Sequence, residues 1–320
     1  MLSYVLRRII VMIPLVLGIS IISFSIIHLA PGSPASVLLG PKALDPEAVA
    51  RVNANLGLDK PIYVQYFKWL SRILQGDLGI SVGLILGMQV NELVAARILP
   101  TLELTISALI LSIVVAIPVG VLSAVRQYSL FDHLATVGAF AGISLPNFWL
   151  ALMLILLFSV KLGWLPSSGI IDPRITAPTI FDYLRHLIIP AFVLGTAGMA
   201  GIARFVRASM LEVLRQDYIT AARARGLSER TVIYKHALKN ALLPLVTILG
   251  MSLPGLLSGA VLVETVCGWP GMGRLAVSAV FGRDYPVMMA LVLLFGILVV
   301  IGNLIADVAY AYVDPRIRYD

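Results

Sequence analysis

Apolar residues in this chain come in blocks long enough to cross a lipid bilayer, and this limits its fold more than any other feature. A hydrocarbon core of about 30 Å needs about 20 apolar residues at a rise of about 1.5 Å each. Six segments reach that length: residues 9–29, 101–125, 134–160, 187–208, 245–266 and 287–311. Lipid satisfies no backbone polar group, so such segments fold as helices. Of the 320 residues only 13% are charged, against about 25% in a soluble domain. That excludes an ordinary soluble enzyme. The sequence therefore predicts an all-α polytopic membrane protein with six transmembrane helices. A cleaved signal peptide fits the first segment poorly. The apolar run after Arg7 and Arg8 is too long for a typical signal core, and no small-x-small cleavage site precedes Pro31.

The charges that remain are placed unevenly. The net charge is +7, an excess that suits nucleic acid or anionic lipid when taken alone. Its position along the chain decides. The fourth and fifth segments are joined by residues 209–243, which together with Arg204 and Arg207 hold eight basic residues against three acidic ones. Arg7 and Arg8, Arg126, and Arg316 with Arg318 fall on the same side if there are six spans. Residues 31–100 are nearly balanced, with six basic and five acidic. Basic residues gather on the cytoplasmic side of membrane proteins. The expectation is a multi-pass protein of the cell inner (plasma) membrane with both termini and the 209–243 loop in the cytoplasm. Its predicted parts are an N-terminal transmembrane helix (1–30), an external helical segment (31–99), a core of five transmembrane helices (100–313) and a cytoplasmic tail (314–320).

The external segment is patterned rather than featureless. A helix is predicted over 46–56, with Asp45 as N-cap, Pro46 at its first position, Glu47 in its first turn and Gly57 as its stop. A second is predicted over 61–74, where Ile62, Tyr66, Trp69 and Ile73 share one face. Gly76-Asp77-Leu78-Gly79 then reads as a turn.

The 209–243 loop reads as two helices. The first covers 210–225, and Gly226 follows where a positive φ is needed. Ser228 caps the second, with Glu229 in its first turn, and that helix runs to about residue 242. Ala221, Ala222 and Ala224 leave the first helix a thin surface that another protein can approach closely. Charge alone fits a solvated loop. A DNA-binding helix pair fits badly, because both helices are tethered within a few residues of membrane spans, so no nucleic acid partner is expected. A capped, ordered pair is more than charge segregation requires, which favours a docking element.

Other features limit the chemistry. The single cysteine, Cys267, and four scattered histidines form no metal site. There is no GxxxxGK[ST] phosphate loop, no GxSxG and no HExxH, so the chain is expected to bind no cofactor and to catalyse no reaction itself. Candidate pathway or gate residues are Pro146 and Asn147 in the third segment, Pro254 in the fifth, Glu264 and Trp269 in the turn after it, and Asn303 and Asp307 on one face of the sixth. For the prolines, a structural kink is the stronger reading. Gly195, Gly198 and Gly201 suggest close helix packing. Too few carboxylates lie within the spans for a proton relay, which argues against a stand-alone secondary transporter.

Ala221-Ala222-x-x-x-Gly226 in a cytoplasmic loop before the second-to-last span resembles the EAA signature of permease subunits of ABC importers. Thr220, His236 and Lys239 depart from the general motif and are similar to its peptide-transport branch. The opening LSYVLRRII, His28-LAPGSP, Gly76-DLGIS, Ser144-LPNFWLALMLILLFS, Leu162-GWLPSSG, Val263-ETVCGWPGMGRL, Arg283-DYP and Asp314-PRIR resemble that branch too, in order and across nearly the whole chain. The resemblance implies a type I ABC importer permease core that forms half of a translocation pathway by alternating access. It implies a second homologous permease, two ATPase subunits that carry the ATP and Mg, and an external substrate-binding protein. Tyr218, Ala221, Ala222, Arg225, Gly226, Leu227 and Ser228 would form the coupling helix that meets one ATPase. Dipeptides or oligopeptides are the implied cargo, with glutathione or nickel complexes as alternatives within the group.

Overall fold

The computed structural model describes residues 2–29, 39, 45–56, 58–242, 244–245 and 260–313. Its architecture is helical. Helix α1 (Leu2–Leu29) is followed by two short helices, α2 (Pro46–Leu56) and α3 (Ile62–Leu74). Then come α4 (Val90–Val125), α5 (Leu130–Ser144) and α6 (Asn147–Leu154), the last continuing into a π-helical turn (Ile155–Lys161). Helix α7 (Ile180–Val213) leads to α8 (Asp217–Ala224). A second stretch starts with α9 (Glu229–Thr231), passes through a π-helical turn (Val232–Ala237) and ends in α10 (Leu238–Ala241). The chain closes with α11 (Val261–Val266), α12 (Met272–Phe281) and α13 (Tyr285–Val313).

Among the described residues, three helices have the length and apolarity to cross a membrane: α4, α7 and α13 over Tyr285–Ile305. The expected third span is bent. Helix α5 and the 147–161 stretch meet at 107° and together make a fourth candidate. The cause is local, because Pro146 forces extended backbone just before it and itself sits at φ −60°, ψ 131° as the cap of α6. Helix α1 holds the expected first span. Most of the expected fifth span, Pro254 included, lies outside the described residues, as does the 314–320 tail.

The bundle is organised on α4 and α7, which run parallel, Glu103 meeting Tyr183, Ser112 meeting Gly195 and Gly120 meeting Val206, and make its most extensive contact. Their seam is lined with small residues, which is how helices associate where lipid is as apolar as the side chains. Ser112 Oγ on α4 lies 2.8 Å from the Gly195 carbonyl of α7 and 2.7 Å from that of Ala108. A Cβ at Gly195 would meet the Ala108 carbonyl at 2.9 Å. Gly198 also abuts Ser112, whereas Gly201 faces open space. So two of the three glycines serve the packing expected of them.

One end of this bundle carries the basic 209–243 segment, here termed the basic end. At the far end lie the two helices of the 31–99 segment. Asp45 caps α2 as expected, its Oδ1 accepting from the Glu47 amide at 3.0 Å. Helix α3 leans on α1. Tyr66 and Trp69 flank Phe24, with ring centroids 5.5 and 5.8 Å away, and the Tyr66 hydroxyl is 2.8 Å from Ser20 Oγ. Ile62 does not join that face and is exposed. The turn after α3 closes as expected, with Gly76 and Gly79 at positive φ.

Replacing Gly195 by Val should weaken the bundle, since overpacking a close contact typically costs about 1–3 kcal/mol. Gly201→Ala should not. Thermal unfolding of the two variants in detergent checks the pair, and equal losses would remove the seam as the organising contact.

Candidate functional site

The basic helix pair is the most sharply defined surface of the chain. The loop helix expected over 210–225 is not continuous, because its first residues belong to α7. Helix α7 stops at Val213, a turn intervenes, and α8 begins at Asp217. The first helix of the pair is therefore short and set off from the membrane helix. Gly226 holds φ +78°, and Ser228 caps the second stretch through the Thr231 amide. Both were legible as punctuation, because their chemistry is local.

One face of the pair is locked to the bundle. Ile219 and Ala222 of α8, with Val232 and Ala237 behind them, pack on Val206 and Met210 of α7 and Val121 of α4. Ile219, Val232 and Ala237 are fully buried. Asn240 Nδ2 donates to the Tyr218 hydroxyl at 2.8 Å and ties the two stretches together. Arg223 pairs with Glu229 at 2.8 Å across the turn, an exposed contact worth little by itself. The other face is open. Tyr218, Ala221, Arg225, Gly226, Leu227 and Ser228 are exposed, and Ala222 alone of the seven expected docking residues is buried. That split follows from helical spacing, which turns Ile219 and Ala222 inward together.

A buried charge braces the same end. Arg207 of α7 grips Asp132 of α5 with two hydrogen bonds, Nε to Oδ1 at 2.6 Å and Nη2 to Oδ2 at 2.8 Å. Tyr128, at φ 63°, donates its amide to the same carboxylate at 3.0 Å. The Asp132 side chain is 3% exposed and that of Arg207 29%. The pair joins the 126–129 turn to the last turns of α7 before α8. Sequence reading counted Arg207 only as loop charge. Nothing in the residue spacing signals its partner, which lies 75 positions away.

The far-end candidates form a different arrangement. Glu264 is fully buried and accepts from Thr101 Oγ1 at 2.9 Å and from the Arg274 amide at 3.0 Å. Gly271 lies so close that a Cβ there would meet the carboxylate at 2.3 Å. Trp269 is also fully buried, its indole N–H donating to the Pro100 carbonyl at 2.8 Å. Both residues thus pin the 267–274 turn to α4. Pro146 and Asn147 lie at the 107° bend. Asn303 is exposed on α13, and the Asp307 side chain lies outside the described residues. Pro254 lies outside the described residues, and the structure does not bring the described candidates to one place.

Two joints at the far end were not anticipated. Tyr183 donates to Glu103 Oε2 at 2.5 Å. Asp284 is fully buried and takes the Ser81 hydroxyl and the amides of Gly83 and Leu84, the amides at 3.1 and 3.0 Å. Beside α7, residues 163–175 enclose a cavity of about 600 Å³. At its edge Arg174 holds the Asp172 carboxyl down at about 2, mainly by a direct hydrogen bond.

Among the described residues no group of His, Cys, Asp or Glu is arranged to hold a metal. The arrangement instead suits mechanical work: an apolar bundle, one rigid polar pair at its end, and buried carboxylates as joints. It defines a helical membrane subunit with one exposed basic helix pair at its end. Residues 116–319 match the model of the binding-protein-dependent transport system inner membrane component, and residues 1–109 match that family's N-terminal model. The chain belongs to this family and is a permease subunit of an ABC importer. It is 48% identical to the oligopeptide transport system permease protein AppB of Bacillus subtilis, over the full length of both chains. It is 42% identical to the dipeptide transport system permease protein DppB of Escherichia coli (100% of this chain, 99% of the relative). Identity to the glutathione transport system permease protein GsiC of Salmonella paratyphi A is also 42%, over the full length of both. In fold it is similar to a chain of the inward-facing MetNI methionine ABC transporter, with a TM-score of 0.54 and 23% identity over 69% of this chain and 96% of that one.

Breaking a buried ion pair from one side costs about 3–5 kcal/mol. Because Arg207 is partly exposed, Asp132→Ala should cost nearer the lower figure. The swap Asp132→Arg with Arg207→Asp should recover part of the loss. Unfolding midpoints of the single and double variants check this; a swap no better than the single variants would deny the pair its bracing role.

Proposed function

We propose that the chain forms half of the translocation pathway of an importer for dipeptides or oligopeptides, and that the helix pair over 217–241 couples it to an ATPase subunit. The observation that carries the coupling role is the split of that pair into a face locked on α4 and α7 and an open face of small and basic residues. A solvated loop needs no such lock. Tyr218, Ala221, Arg225, Gly226, Leu227 and Ser228 make the contact, and Ala222 anchors it from behind. The peptide cargo rests on the relatives. The glutathione permease, at the same identity as the dipeptide permease, keeps glutathione open as a second cargo.

The remaining assignments follow from this reading. The basic end faces the cytoplasm, since basic residues stay on that side, so both termini lie there and residues 31–99 form an external segment. The permease core takes up 100–313. A second permease covers the exposed Asn303 face of α13, because a polar face is poorly placed in lipid. A binding protein delivers cargo at the far end. ATP and Mg belong to the two ATPase subunits, and this chain holds neither. Closure of the ATPase pair then biases an equilibrium between inward- and outward-open states, and the locked pair passes that bias to α4 and α7.

Gly226 tests the coupling. At φ +78° a β-branched side chain is strained, with a cost of about 1–2 kcal/mol, although nothing stands within 4 Å of the added carbon. In the purified complex, Gly226→Val should reduce substrate-stimulated ATP hydrolysis and retention of the ATPase. Gly226→Asn, which tolerates that backbone, should retain most of both. Wild-type values for Gly226→Val would remove the docking role.

A further inference from the structure

Helix α3 carries two stripes. Tyr66 and Trp69 face Phe24 of α1. Beside them Lys68 and Arg72, four residues apart, line a cavity of about 750 Å³, and Lys60 reaches the same cavity from just before the helix. Its lining is divided by chemistry. The rim holds these three cations with Gln75, Asn91 and Asp77, and the inner wall holds Phe24, Trp69, Tyr285, Pro286 and Met289. Apart from Trp69 of α3, the inner wall comes from the far-end turns of α1 and α13, where apolar membrane helix gives way to the polar segment.

The charges do not cancel. Among the described residues Asp77 is the one carboxylate on the lining, and its Oδ1 accepts from the Gly79 amide at 2.8 Å. Asp59 acts on Lys68 from outside the cavity. Among the described residues neither lysine, nor Arg72, has a carboxylate within ion-pair distance. Lys60, which lines the same cavity, lowers the pKa of Lys68 by like-charge proximity. Three cations on one cavity lining, Lys68 and Arg72 one helical turn apart, make a field that a doubly coordinated oxyanion relieves. A water-soluble anion has no use for the aromatic and methionine wall behind that rim. A glycerophospholipid has use for both, with its phosphate at the rim and its apolar part along α1 and α13. Lysine and arginine at a membrane interface extend their stems over apolar surface in this way.

We propose that the cavity between α1, α3 and the start of α13 binds the phosphate headgroup of an anionic phospholipid, held by Lys60, Lys68 and Arg72. The bound lipid joins α3 to the bundle at the edge of the bilayer. This assignment is independent of the cargo and of the coupling role.

Native mass spectrometry of the intact purified complex, incubated with phosphatidylglycerol or phosphatidylcholine, reads the site directly. Wild type should retain phosphatidylglycerol over phosphatidylcholine. The triple variant Lys60→Gln, Lys68→Gln, Arg72→Gln should lose that adduct by tenfold or more, since each cation beside an anionic lipid contributes about fivefold. A charge-keeping variant, Lys60→Arg with Lys68→Arg, should retain it and guards against loss through misfolding. Inorganic phosphate at millimolar concentration should not displace the lipid. Equal retention of the two lipids, or of phosphatidylglycerol by wild type and triple variant, would overturn the proposal. Displacement by inorganic phosphate would instead make this a site for a free anion and overturn the lipid assignment.

Discussion

The close approach of α4 and α7 is the contact on which the rest of the molecule depends. It needs the absence of side chain at Gly195 and the hydroxyl of Ser112 at one level of the seam. No hydrophobic force drives helices together in lipid, so shape and a few polar contacts must hold them. Both ends of the seam are then put to use. At the basic end Val121 and Val206 offer the apolar patch on which the 217–241 pair sits. At the far end Pro100 and Thr101 receive Trp269 and Glu264. A change in the angle between α4 and α7 is felt at both places.

The few charges of this chain include several that are spent inside it. Asp132, Glu264 and Asp284 are all buried, and each joins segments far apart in sequence. Burying a carboxylate is costly unless donors surround it. Asp284 and Glu264 meet that demand with backbone amides and hydroxyls, and Asp132 with a guanidinium and an amide. Removing one donor leaves a charge unpaid, which makes such joints specific about register even where they add little net stability. Joints of this kind suit a protein whose halves must move while each half keeps its form.

Much of this was readable from sequence, and the remainder was hidden for definite reasons. Apolar blocks placed α1, α4, α7 and α13, since span length is set by the bilayer. Asp45, Gly226 and Ser228 were readable because caps and turns act within a few residues. The sharp bend at Pro146 was only partly legible. A proline marks an interruption, but the angle is set by what α5 and α6 pack against. The break between α7 and α8 was missed because residues 210–225 carry no proline or glycine. The joints through Asp132, Asp284 and Tyr183 were missed because their partners lie 75 to about 200 positions away. Glu264 and Trp269 drew notice as chemistry-bearing residues. The sequence did not disclose that both are buried against α4.

The central claim is that the 217–241 pair moves with α4 and α7 as one body and so carries force between an ATPase and the pathway. Spin labels at Arg225 and at Val114, an exposed position on α4, measure this directly. Pulsed electron resonance on the complete complex should give one distance, unchanged within the width of its distribution, with nucleotide absent and with ATP trapped. A shift of several ångströms between the two states would show the pair sliding on the bundle and would contradict the account.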